Sequence, residues 1–147
     1  MDSLDYGRRF IVDAFRSKAA VPVSHAEVES YLLDLHGNLE GERAPHESVL
    51  LDDDDGFSAA VLGAEANAVL HLFPALSTMS LQVFSRRDVL LSDLTRRLTR
   101  HFEVGRFESH LGNATKALPR ERARLQRVLA GDRSYARIRV DDRLLAP

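Results

Sequence analysis

The sequence predicts an α/β (α+β) fold, a two-layer sandwich in which a mainly antiparallel sheet carries helices on one face. Two observations lead to this prediction. Several short runs alternate apolar and polar residues and are separated by gaps too short for helical crossovers, which favours antiparallel neighbours. Two longer segments repeat apolar residues at helical spacing. The 147 residues suffice for one domain with a sizeable core.

The first two elements are a strand and a helix. Residues 7–15 alternate in hydrophobicity and predict a strand. Ser24 and Glu27 have the spacing of a capping box, in which the serine hydroxyl accepts a hydrogen bond from the glutamate amide. A helix is therefore predicted to begin there, and Gly37 is expected to end it.

Strands dominate the middle of the chain. The aspartates at residues 52–55, followed by Gly56, form the expected turn between the first two of them. A helix over residues 88–102 and a strand over residues 106–111 complete the expected domain, residues 1–112. The four predicted middle strands lie at residues 48–51, 57–64, 68–73 and 79–84.

Residues 113–147 are expected to form a C-terminal helix-strand extension packed on the same domain. Pro119 suits a first helical turn, and Gly131 is expected to close that helix. Residues 135–140 (YARIRV) alternate in polarity and predict a final strand.

Composition narrows the classes of function. The net charge is −2 and the pI is near 6.3, so no global field attracts nucleic acid or anionic membranes. The absence of cysteine excludes disulfides, thiolate metal sites and cysteine nucleophiles. The first residues lack the pattern of a secretory signal, and no apolar run is long enough to span a bilayer. A cytoplasmic location is therefore expected.

Two kinds of charged cluster stand out. The aspartates at residues 52–55 lack the spacing and the bidentate glutamate of a calcium loop, so a solvated turn is favoured. The histidines show no metal-ligand spacing, and no metal is predicted. Seven arginines form two basic helical faces, for which a solvated surface or an acidic partner is favoured over nucleic acid. They are Arg96, Arg97, Arg100, Arg120, Arg122, Arg124 and Arg127.

Two segments, residues 7–15 (GRRFIVDAF) and residues 57–88 with their Ala64-Glu65 pair, resemble the small prokaryotic S-adenosylmethionine decarboxylases, a pyruvoyl-dependent family. Residues 7–15 (GRRFIVDAF) are similar to the family's opening pattern, G-R-H-x-x-x-D-x-F/Y. Residues 57–88 are similar, without gaps, to a second pattern that contains A-E-S-H, a later histidine and W-P. The resemblance covers residues 7 to 112 and implies the family's fold. The matched positions of the second pattern are Ala64, Glu65, His71, Phe73 and Pro74.

The resemblance also indicates that this chain lacks the family's chemistry. In the family, the serine after A-E attacks the preceding carbonyl, and the ester eliminates to leave a pyruvoyl group that acts as the electron sink. Ala66 occupies this position and has neither a nucleophile nor a leaving group on Cβ. Neither a pyruvoyl cofactor nor pyruvoyl-dependent decarboxylation is therefore expected.

Three further positions depart from the family pattern. Asn67 replaces a histidine, and Ala75 replaces a glutamate expected near the substrate. The family's proton-donating cysteine falls at Arg86, or at Ser85 if the turn is shifted by one residue. Because arginine does not release a proton near neutral pH, the site around Ala66, Asn67 and Arg86 is expected to be degenerate.

Four matching residues suggest a remnant pocket: Ser58, Glu65, His71 and Phe73. Ser58 and His71 fall on positions that assist self-processing in the family. Structural interpretations stand beside these. Ser58 is also typical of a small residue entering a strand, His71 of a histidine satisfied within a sheet, and Glu65 of an exposed strand residue.

The sequence is compatible with three functions. The first is a catalytically inactive homologue that binds a small-molecule ligand or a partner, either a second copy in a homodimer, as is usual in the family, or an active decarboxylase paralogue. Regulation of polyamine synthesis is the context that the resemblance implies for it. The second is an enzyme with different chemistry that uses Glu65, His71 and Arg86 for acid–base work. The third is an interaction module formed by the Arg-rich C-terminal extension.

Overall fold

The computed structural model describes residues 6–15, 24–40 and 46–145. These ranges contain six strands and three α-helices. The strands are β1 (Tyr6–Phe15), β2 (Glu47–Asp53), β3 (Gly56–Leu62), β4 (Ala66–Phe73), β5 (Thr78–Ser85) and β6 (Arg106–Lys116). The helices are α1 (His25–Glu40), α2 (Leu91–Phe102) and α3 (Arg122–Leu145), and a short 3-10 helix, Pro74–Leu76, joins β4 to β5.

All six strands belong to one antiparallel sheet with the order β2-β3-β4-β5-β1-β6. The four consecutive strands β2 to β5 are neighbours, as their short connections predicted. The N-terminal strand β1 lies between β5 and β6, which leaves β2 and β6 at the two edges. The predicted fold class is confirmed.

Helices α1 and α2 cover one face of the sheet. Their apolar residues, including Leu32 and Leu98, pack on alternate residues of four strands. In β1 the residues that face this core are Phe10, Val12 and Ala14, as the alternation predicted. This half of the molecule is the predicted two-layer sandwich.

The C-terminal extension differs from the prediction. Residues 122–145 form one continuous helix, so the predicted helix end at Gly131 and the predicted strand over residues 135–140 are wrong. The residues of α3 that pack on the sheet recur at helical spacing through the whole segment, which the local alternation of YARIRV concealed. They are Leu125, Leu129, Ala136 and Val140.

Helix α3 covers the sheet face opposite to α1 and α2. Leu125 and Leu129 pack on residues of β2, β3 and β4, while Ala136 and Val140 pack against Phe15 and Phe73. The helices on one face, as predicted, are therefore α1 and α2, and α3 adds a third layer.

Helix α1 begins where predicted and ends later. The Glu27 amide donates to Ser24 Oγ at 3.4 Å, as in the expected capping box. The helix does not stop at Gly37 but continues to Glu40. Tertiary contacts hold the extra turn, because the buried Glu40 carboxylate pairs with His36 and accepts a hydrogen bond from the backbone of the β3–β4 turn.

Candidate functional site

A row of polar side chains crosses the sheet beneath α3. Cross-strand pairing aligns Ser58 of β3 with His71 of β4, His71 with Ser80 of β5, and Ser80 with Asp13 of β1. Asp13 in turn lies opposite Glu108 of β6. The first four of these residues are buried, so their polar atoms need partners within the protein.

The predicted residues Ser58 and His71 form a buried pair. Ser58 Oγ and His71 Nδ1 share a hydrogen bond of 2.6 Å. Burial lowers the pKa of His71 to about 3, and the positive charges of Arg133 and Arg139 lower it further in the same direction. His71 is therefore a neutral imidazole at physiological pH. Its Nε2 has no hydrogen-bond partner within the described part of the chain.

Arg133 of α3 fills the space above this pair. Its Nη1 donates to Ser58 Oγ at 3.0 Å and to the carbonyl oxygen of Phe57 at 2.8 Å. Its Nη2 donates to the carbonyl oxygen of Leu72 at 3.1 Å. Its Nε and Nη2 also donate to the Asp53 carboxylate at 2.6 and 3.0 Å, and these bonds lower the pKa of Asp53. The guanidinium thus uses its whole set of donors.

Phe73 belongs to the same cluster. Its ring lies 4.5 Å from the Arg133 guanidinium carbon and 5.8 Å from that of Arg137, within the range of cation–π contacts. The structure therefore brings together three of the four residues predicted to form a remnant pocket: Ser58, His71 and Phe73. They lie under α3, where Ser58 and Phe73 contact arginine side chains.

Two more arginines of α3 occupy the other half of the polar row. Arg139 Nε and Nη2 donate to the Asp13 carboxylate at 2.9 and 3.1 Å, and Ser80 Oγ donates to the same carboxylate at 2.6 Å. Arg143 pairs with Glu108 at 2.7 Å. Along the polar row, α3 therefore places Arg133 beside Ser58, Arg139 beside Asp13 and Arg143 beside Glu108.

The degenerate positions lie at the opposite end of β4. Ala66, its first residue, is buried and is paired with Ser85 of β5. The peptide that precedes it is held in the sheet, because the Glu65 carbonyl accepts a hydrogen bond of 3.0 Å from the Arg86 amide. The Arg86 guanidinium donates to the carbonyl of Ala64. Arg86, the position at which the resemblance predicts the family's proton donor, therefore closes the turn.

The predicted residues form two groups rather than one pocket. His71 follows Ala66 by five residues along β4, which corresponds to about 16 Å in an extended strand. Glu65 lies on the Ala66 side, half-exposed and 3.9 Å from Arg87. The structure therefore separates Glu65 and Arg86 from His71, and the three do not form an acid–base site.

A cavity of about 730 Å³ opens beside the degenerate positions. It lies between the sheet and the start of α3, and Ala66, Asn67 and Arg86 all line it. In the amide orientation that satisfies both groups, Asn67 accepts a hydrogen bond of 3.2 Å from the Leu118 amide and donates to the Ala66 carbonyl at 3.3 Å. Asn67 thus ties the segment that leads into α3 to the start of β4.

Sequence reasoning missed Arg133, Arg139 and Arg143. Their signal was present, since these arginines lie among apolar residues at helical spacing in residues 122–145. The predicted strand over residues 135–140 hid it, because a strand would point alternate residues to opposite faces.

The family model of S-adenosylmethionine decarboxylase matches residues 8–112, more than half of the chain. The chain therefore belongs to the S-adenosylmethionine decarboxylase family. The crystal structure of the adenosylmethionine decarboxylase from Aquifex aeolicus VF5 is similar, with a TM-score of 0.55 and 13% sequence identity over 80% of this chain and 96% of that chain. At this identity the likeness shows the fold alone. No curated protein matches the sequence.

The described residues contain neither a metal-binding cluster nor a membrane-spanning helix. No cluster of three or more acidic or histidine side chains within residues 6–15, 24–40 and 46–145 is arranged to hold a metal ion. None of the helices in those ranges has both the length and the apolar character needed to cross a membrane.

Proposed function

We propose that this chain is a non-catalytic member of the S-adenosylmethionine decarboxylase family and acts by binding. The observation that carries the proposal is Ala66, which occupies the position of the family's pyruvoyl-forming serine. A methyl group supplies neither the nucleophile nor the leaving group that pyruvoyl formation requires. The chain therefore remains in one piece, with its Glu65–Ala66 peptide intact and no pyruvoyl group.

The surroundings of both residue groups support this proposal. At one end, Arg86 closes the β3–β4 turn with its amide and guanidinium. At the other end, Ser58 Oγ shares a hydrogen bond with the buried His71 and accepts another from Arg133. The departure at Arg86 and the matching residues Ser58 and His71 are thus integrated into the packing, as expected of natural divergence.

The test is an intact-mass spectrum of the purified protein, before and after incubation with S-adenosylmethionine and cyanoborohydride. We expect one uncut species near 16.5 kDa with no reductively trapped adduct. Two fragments or a trapped imine would overturn the proposal.

The variant Ala66→Ser provides a sharper form of the same test. It restores the missing hydroxyl but leaves Arg86 on the turn, and it leaves Ser58 and His71 under Arg133. We expect it to remain uncut over days. Self-cleavage of Ala66→Ser would mean that the processing machinery is still functional and that the wild type lacks only one atom.

The binding partner we propose is a second copy of this chain. Strand β6 forms an edge of the sheet and extends over 11 residues. Phe107 and Leu111 project from it with 45% and 52% of their surfaces exposed. A long edge strand with exposed apolar side chains favours pairing with another chain. The sheet face under α3 is covered and is not available for such pairing. A cytoplasmic location, consistent with the lack of cysteine, completes the proposal.

A further inference from the structure

The cavity beside Ala66 carries an excess of positive charge. Four arginines line it: Arg9 from β1, Arg86 after β5, Arg120 before α3 and Arg124 from α3. Asp132 is the one acidic side chain among the described residues that line it, and Gln82 donates to its carboxylate at 3.2 Å. The formal excess is three positive charges, in a protein whose net charge is −2.

These arginines are not neutralised by carboxylates. The guanidinium groups of Arg86 and Arg120 donate to the backbone carbonyls of Ala64 and Gly63, which carry no formal charge. Arg86 Nε is buried and has no hydrogen-bond partner in the described structure. Arg86, which lines the cavity, therefore has neither a carboxylate partner nor a full set of acceptors among the described residues.

The rest of the wall suits an organic molecule rather than a bare ion. Phe84, Leu118 and Val128 contribute apolar surface, and the cavity volume of about 730 Å³ lies in the range of small-molecule sites. Arginine forks match the geometry of phosphate and carboxylate oxygens.

We infer that this cavity binds a small organic oxyanion with two or more negative charges, carried by phosphate or carboxylate groups. The inference rests on the proposed non-catalytic function of the same site and names its class of ligand. The arginines from β1 and α3 would bind the charged groups from two sides, and the apolar wall would contact the body of the molecule. A cationic sulfonium ligand is disfavoured by the same charges.

The experiment is a calorimetric titration of the full-length protein with ATP, pyrophosphate and citrate, with S-adenosylmethionine and adenosine for comparison. We expect ATP, pyrophosphate or citrate to bind, and the affinity to weaken several-fold between about 50 and 200 mM NaCl because the contacts are ionic. Phosphate and carboxylate sources are distinguished by which of the three probes binds most tightly.

Two substitutions from different elements locate the binding. Arg124→Gln and Arg9→Gln should each weaken binding of the preferred oxyanion by about tenfold or more. Neither side chain has a described hydrogen bond or ion pair, so both variants should fold, which circular dichroism checks. The matched control is Arg127→Gln, which removes an exposed arginine of α3 that does not line the cavity. It should leave the affinity unchanged.

The outcomes separate this inference from the proposed function. Absence of binding by all three oxyanions, an equal loss in Arg127→Gln, or tighter binding of S-adenosylmethionine would overturn the oxyanion site. None of these results bears on pyruvoyl formation, which the mass spectrum reports independently.

Discussion

Arg133 shows how this sheet tolerates a buried polar row. The residue is 3% exposed, yet each of its side-chain donors has an acceptor: a carboxylate, a serine hydroxyl and two backbone carbonyls. A buried guanidinium is stable only when it is paired and fully hydrogen-bonded. At the residue scale, one arginine therefore holds Ser58, and through it the hydrogen-bonded His71, in the packing under α3.

Replacing Arg133 should destabilise the protein strongly. Arg133→Gln leaves several buried acceptors unpaired, and we expect the free energy of unfolding to fall by about 3 kcal/mol. Urea denaturation followed by circular dichroism measures this. The control Arg127→Gln, exposed on the same helix, should change it by less than about 0.5 kcal/mol. Equal, small effects of both substitutions would show that α3 is not held by Arg133.

His71 should make stability depend on pH. Its pKa is lowered to about 3 in the folded state, against about 6.5 in the unfolded chain. Its contribution is therefore fully present above pH 6.5 and is lost as the pH falls from 6.5 toward 3, since only the unfolded chain takes up the proton. Between pH 7 and 5 the wild type should lose roughly 2 kcal/mol more than His71→Asn.

Urea denaturation of both proteins at the two pH values provides this comparison. The window avoids the acid range in which Asp53 also contributes, because its lowered pKa affects stability only below about pH 4. Identical pH dependence in the two proteins would mean that the folded state protonates His71 as readily as the unfolded state does.

At the scale of elements, α3 distinguishes this molecule from a plain two-layer sandwich. It crosses the sheet with a helical stripe that is apolar at four positions and basic at Arg133, Arg139 and Arg143. The apolar positions bury the sheet face, and the arginines match the acidic and hydroxyl groups of the polar row. The helix continues through Gly131 because both sides of this glycine are held by the sheet.

Gly131 therefore lowers the stability of α3, and a residue with higher helix propensity should raise it. A Cβ atom added there meets no atom within 4 Å, so Gly131→Ala should raise the free energy of unfolding by about 0.5 to 1 kcal/mol. The matched control is Gly56→Ala at the first residue of β3, where φ is +139° and the new Cβ would collide with the Leu72 carbonyl. That variant should be destabilised by about 1 to 3 kcal/mol. A destabilised Gly131→Ala would indicate that the helix ends at Gly131.

At the scale of the whole molecule, the parts of the sheet that the helices leave uncovered determine where a second chain could pair with it. Both faces carry helices, so pairing through the sheet is left to its edges. The β6 edge is the longer one and exposes Phe107 and Leu111.

The proposed homodimer can be tested by light scattering coupled to gel filtration. The wild type should show twice the chain mass of 16.5 kDa, and Phe107→Lys combined with Leu111→Lys should show a single chain, because charges on an edge strand oppose pairing. The control Tyr135→Lys changes an apolar residue of α3 that is 68% exposed and should remain dimeric. A monomeric wild type would refute the dimer and favour a different partner, such as an active paralogue.

Much of the fold followed from local patterns. The alternation in residues 7–15 identified β1 and its two faces, and short gaps identified the antiparallel neighbours, because both depend on residues near each other in sequence. The helix end predicted at Gly37 is wrong because the last turn of α1 depends on Glu40, which contacts a turn 25 residues away in the sequence.

The sequence by itself determined that residue 66 is an alanine, whose side chain has no oxygen that packing could restore, and the proposed loss of the family's chemistry rests on this residue. Only the tertiary structure decided how the remaining residues are used. Arg133 contacts Ser58 and Asp53 across 75 and 80 positions of chain, and the arginines of the cavity come from separate elements. Such contacts arise from how the helices cross the sheet, and local periodicity carries no information about them.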